Sequence, residues 1–61
     1  MKRSKLIGKR AVITDRDSIY YGEWGTIVEY DGTVYYIAIA NDHSSIPVFM
    51  RYAFKVRREE Q

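Results

Sequence analysis

Sixty-one residues with no cysteine and a single histidine, His43, leave room for one small domain and exclude both a disulfide framework and the usual Cys/His zinc sets. Apolar residues make up 46% of the chain, and six tyrosines, two phenylalanines and one tryptophan among them supply one compact core rich in large rings. The net charge of +2 is unevenly spread: residues 1–10 carry five cations and no acid, residues 11–50 carry six acids against Arg16, and residues 51–61 carry four cations against Glu59 and Glu60.

The first seven residues form a basic lead-in with nothing obvious in the sequence to tie them down. Leu6-Ile7 runs at once into Gly8-Lys-Arg, so no secretory signal is expected. No apolar run approaches the roughly 20 residues that span a bilayer, and a cytoplasmic protein without a membrane partner is expected. Gly8 marks the start of ordered structure. Arg10-Ala-Val-Ile-Thr14 is a short strand of β-formers. Asp15-Arg-Asp-Ser18 is a loop whose carboxylate and hydroxyl side chains can bond their own backbone, and Ile19-Tyr-Tyr21 makes that loop long and partly apolar.

Gly25–Tyr30 and Thr33–Ala40 are the next two strands, joined at Asp31-Gly32, a strong short-range hairpin signal. A two-residue loop sets Tyr30 against Thr33 and Val28 against Tyr35. A three-residue loop with Gly32 in the left-handed position sets Glu29 against Thr33 and Ile27 against Tyr35. The second is preferred because it unites Ile27, Tyr35, Ile37 and Ile39 on one face. Asn41-Asp-His-Ser-Ser45 is a polar turn, and Pro47 opens a fourth strand, Val48–Arg51, where no ladder donor is needed. Tyr52-Ala53 suits a single tight turn. Phe54-Lys-Val-Arg57 alternates apolar and basic as a fifth strand, and residues 58–61 are a solvated tail.

No stretch repeats apolar residues at helical spacing. The expected fold class is all-β: one five-stranded barrel over residues 8–57, with one short turn of helix before the last strand. Gly8-Lys-Arg-Ala-Val-Ile13, then Gly22-x-x-Gly25-x-Ile27-x-x-Tyr30, then Val48-Phe-Met-Arg51, a turn and Phe54-Lys-Val56, resemble the KOW-type SH3-like small barrels. The resemblance implies a strongly bent five-stranded sheet and a binding module. The first loop, Asp15 to Tyr21, lacks the basic or glycine-rich character common where such modules touch RNA, and the central hairpin is acidic. The small size and basic amino terminus also look like short single-domain proteins of phages and other mobile elements.

In barrels of this kind the first and last strands lie close. Lys9, Arg10, Lys55, Arg57 and Arg58 are then expected on one face, with Arg51 nearby, as a nucleic-acid-binding patch beside aromatic rings at loops and strand ends. The plainer explanation of these cations is that they block pairing at sheet edges. A second candidate is a protein-docking surface formed by Tyr20, Tyr21, Trp24 and Tyr52. Asp15-x-Asp17 with Glu23 fails as a calcium loop, because the fifth and sixth positions are Ile19 and Tyr20 instead of an oxygen ligand and glycine. Asp42-His43-Ser44-Ser45 is a polar turn rather than a hydrolytic set, since neighbours on a turn rarely point at one another. No enzyme, cofactor or metal is expected. The expected function is binding, to nucleic acid first or to a larger protein, by a monomer or a homodimer.

Overall fold

The computed structural model describes residues 5–42 and 44–57. His43 of the polar turn and Arg58 of the basic set lie outside the described residues.

The chain forms β1 (Arg10–Ile13), β2 (Trp24–Tyr30), β3 (Tyr35–Ile39), β4 (Val48–Phe49), a single 3-10 turn (Arg51–Ala53) and β5 (Phe54–Val56). All neighbours are antiparallel and the sheet runs β4-β3-β2-β1-β5. Its two outer strands, β4 and β5, are separated in sequence only by Met50 and the 3-10 turn, so the sheet must curl until its edges approach. The result is the all-β, five-stranded barrel with a short helical turn before the last strand. Arg51 belongs to that turn, not to the fourth strand as the sequence suggests.

Alternation explains the core. Ala11 and Ile13 of β1, Ile27 of β2, Tyr35, Ile37 and Ile39 of β3, Phe49 of β4, and Ala53 and Phe54 are buried together. Tyr35 is the node of the ring cluster: it stacks on Tyr30 at 4.4 Å and meets Phe54 edge-on at 5.2 Å. Leu6, from the lead-in, packs against this core, and the Gly8 amide donates to the Ile27 carbonyl at 2.7 Å.

The central hairpin follows neither expected register. Tyr30 pairs with Tyr35, which makes Asp31–Val34 a four-residue loop, and the pairing shifts between Ile27 and Glu29 so that Ile27 faces Ile37. The bulge at Val28 changes the parity of the inner strand face. It lets Ile27 and Tyr30, three apart, both turn inward, while Val28 and Glu29 are exposed. The expected grouping of Ile27, Tyr35, Ile37 and Ile39 on one face is found even though the loop length is not. Asp31 Oδ1 holds the loop by accepting the amides of Thr33 at 2.8 Å and Val34 at 3.0 Å, with Gly32 at φ 103°. Those amides, Val34 first, hold the Asp31 carboxyl below its ordinary value.

Gly25 is required by packing, not by φ. A Cβ there would sit 2.6 Å from Ile37 Cγ2 and 2.7 Å from the Ala38 carbonyl oxygen, and backbone cannot move aside as a side chain can. Gly25→Ala is expected to cost roughly 1–3 kcal/mol, read as a lower urea midpoint with unchanged slope. The Asp31 carboxyl, depressed in the folded state, stabilises the fold above the usual carboxylate pKa of about 3.9 and loses that effect as pH falls through its folded value. Asp31→Asn keeps an acceptor but cannot titrate. Between pH 7 and pH 2 its melting temperature should fall less than that of the wild type, and equal losses would refute this role of the carboxylate.

Candidate functional site

The outer face of β5-β1-β2 is built by the same alternation that builds the core. Ala11 and Ile13 point inward, so Arg10 and Val12 point outward; along β5 and the residue after it, Phe54 and Val56 turn inward and Lys55 and Arg57 outward. The cross-strand register then sets two parallel rows on that face. Lys55 lies opposite Val12, and Val12 opposite Trp24. Thr26 lies opposite Arg10, and the Arg57 amide donates to the Arg10 carbonyl at 2.8 Å, which places Arg57 opposite Arg10. By strand geometry the six positions span about 10 Å across the strands and about 7 Å along them.

Trp24 is 39% exposed and lies outside the core cluster. Its ring stacks on no other ring and its indole donates no hydrogen bond among the described residues. Arg10, Lys55 and Arg57 are all exposed, and none forms an ion pair among the described residues. No carboxylate occupies either row. Glu23, next to Trp24 in sequence, accepts a hydrogen bond from Asn41 Nδ2 at 3.0 Å.

Two of the expected cations stand apart from this face. Lys9 lies opposite Ile27, with the Ile27 amide on its carbonyl, and shares strand parity with Ala11; alternation therefore separates it from Arg10. Arg51 is used locally. Its guanidinium lies 5.0 Å from the centre of the Phe54 ring, and Nη1 donates to the Phe54 carbonyl at 3.3 Å. Phe54 turns that carbonyl toward the free edge of β5, so Arg51 blunts an edge.

The expected aromatic cluster is divided. Tyr20 is a structural ring: it meets Phe49 edge-on at 6.0 Å and its hydroxyl donates to Asp42 Oδ2 at 2.9 Å. That bond, then desolvation and the charge of Asp42, pushes the Tyr20 hydroxyl pKa upward. Tyr21 is exposed in the first loop, where its amide donates to the Ser18 carbonyl. The loop is organised as its side chains suggest, with Asp15 Oδ1 accepting the Asp17 amide and Ser18 Oγ the Tyr20 amide, both at 3.0 Å.

Tyr52 stands away from Trp24 and lines two depressions, one of about 790 Å³ shared with Arg51, Phe54 and Lys55 and one beside the first loop. A groove of about 290 Å³ runs between the first loop and the β4–turn segment, lined by Ile19, Tyr20, Val48, Phe49, Met50 and Tyr52 with Asp15 at its rim. Ile19 is 90% and Tyr52 76% exposed, and Ile46, Val48 and Met50 are exposed beside them. The sequence reading missed these four aliphatic residues and also Val12 and Thr26. The one available signal was the apolar run Ile19-Tyr-Tyr21 that follows Asp15-Arg-Asp-Ser18 in a loop.

Among the described residues no group of three or more His, Cys, Asp or Glu side chains is arranged to hold a metal, and no helix is long and apolar enough to cross a membrane. Compared with models of protein families, with curated proteins and with solved structures, the chain shows no match.

Proposed function

We propose that this domain is a non-enzymatic binding module that takes single-stranded nucleic acid on the outer face of β5-β1-β2. One observation carries the proposal: the cross-strand register sets the chain's only tryptophan among Arg10, Lys55 and Arg57 in two cross-strand rows, neither of which holds a carboxylate. Cations attract phosphates and release their counterions, while an exposed indole offers a stacking surface to any base. A base must be unpaired to reach Trp24, which favours single strands over duplex. The resemblance to KOW-type SH3-like barrels, which implies a bent five-stranded sheet with one tight turn before the last strand and a binding module, supports this reading. The cysteine-free composition suits a cytoplasmic setting.

Three phosphate contacts give a slope of about −2 for log affinity against log salt on a single strand. Binding of an oligothymidylate, followed by quenching of Trp24 fluorescence, should weaken about 10–20-fold between ~50 and ~200 mM salt. Trp24→Ala, monitored by anisotropy of a labelled oligonucleotide, should lose roughly 1–3 kcal/mol. Absence of binding at low salt refutes the proposal.

A second reading is supported by the exposure of Ile19 and Tyr52 at the apolar groove. A surface of this kind beside Asp15, Asp17 and Asp42 suits an apolar protein segment bearing basic residues. If the groove docks a protein, Ile19→Ser and Tyr52→Ser should each abolish its retention in high salt, while Trp24→Ala should leave it intact.

A further inference from the structure

We infer that Arg10 and Arg57 form a two-arginine clamp for one phosphodiester, with Lys55 taking the next phosphate and Trp24 the neighbouring base; this rests on the nucleic-acid reading of the face.

The two arginines are directly opposed. Val56 pairs with Ala11, and one step further the Arg57 amide donates to the Arg10 carbonyl at 2.8 Å, so the pair occupies a hydrogen-bonded site of the ladder, with Cα atoms about 5.5 Å apart. Their inward-facing neighbours Ala11 and Val56 fix both side chains on the outer face. Like charges directly opposite one another destabilise a sheet. Nothing among the described residues relieves this pair, since neither guanidinium has a carboxylate partner.

Edge protection does not account for the arrangement. It explains Lys55 on the outer strand β5, and it explains Arg51, which covers the Phe54 carbonyl. Arg10, however, is on β1, between β2 and β5, where there is no edge to protect. An unfavourable pair with one member on an interior strand and the other at the end of β5 is instead suited to an anion lying between the two planar guanidinium forks, each able to donate two hydrogen bonds to phosphate oxygens.

The ligand's course follows from the rows. Lys55 of β5 and Arg57 just after it are two positions apart on one face, about 7 Å, which matches the separation of successive phosphates in an extended strand. The backbone then runs along β5 and β1, and the bases turn across Val12 toward Trp24. Thr26, beside Arg10 on β2, adds a hydroxyl at the clamp's inner side.

The test combines melting temperature with quenching of the sole tryptophan by an oligothymidylate. Arg57→Gln removes the repulsion and should raise the melting temperature of the free domain by about 2–4 °C while weakening the oligonucleotide at least ~10-fold. Lys55→Gln should weaken it without that rise. Because both arginines hold one phosphate, Arg10→Gln with Arg57→Gln should bind little worse than either alone. Two independent, additive losses, or a melting temperature that stays level or falls in Arg57→Gln, would overturn the clamp. If quenching persists undiminished in Arg57→Gln, the clamp fails and the nucleic-acid reading stands. If the wild type gives no quenching at low salt, the reading fails and the clamp with it.

Discussion

The pairing of β5 with β1 is the constraint on which the other features depend. It joins residues far apart in sequence, so its loop-closure entropy must be offset by what the contact buries. Phe54 is carried into the core against Tyr35, and the Ala53 carbonyl accepts the amides of both Thr14 and Asp15, at 2.9 and 3.2 Å. The 3-10 turn makes this possible by carrying the chain from one outer strand to the other in three residues after Met50, the two strands keeping the same sense. A core of this size leaves only about 3–5 kcal/mol of net stability, so losing the last strand would leave no margin for the rest.

The same pairing determines the outside. A strand has two faces, and a register that places Ala11 and Ile13 beside Val56 and Phe54 necessarily places Arg10 and Val12 beside Arg57 and Lys55. The basic-aromatic face is therefore a consequence of core packing in its geometry, though not in its residue types. Packing requires that these positions be exposed. It does not require three cations and a tryptophan, nor an arginine on the interior strand β1 opposed by a second arginine at the end of β5.

The molecule also keeps its charges apart. Four of the six acids of residues 11–50 lie in the first loop, the central turn and the segment at Asp42, where Asp15, Asp31 and Asp42 accept hydrogen bonds from the backbone or from side chains; Glu23 precedes Trp24 and Glu29 is exposed at the bulge of β2. The cations Arg10, Lys55 and Arg57 gather on β1 and at β5. An anionic polymer drawn to those cations would meet repulsion toward the groove beside Ile19 and Tyr52, so the two surfaces suit different partners.

Much of the fold was legible in the residues. Five strands, the tight turn before the last, and the inward set Ile27, Tyr35, Ile37 and Ile39 follow from β-formers, turn residues and period two, which are local properties. Asp31 and Gly32 marked the hairpin turn. They did not mark its length, because the bulge at Val28 is selected by the need to bury Tyr30 against Tyr35 as well as Ile27 against Ile37. The candidate site was legible only as an inventory of cations and rings. Whether Lys9 stands with Arg10, or Trp24 with Tyr20, depends on strand parity and on which strands are neighbours. Composition and local pattern determined an all-β chain with basic ends and an acidic middle. Tertiary structure alone decided that Trp24 joins Arg10, Lys55 and Arg57 while Tyr20 and Arg51 serve the fold, because a side chain's company in a sheet is set by long-range register.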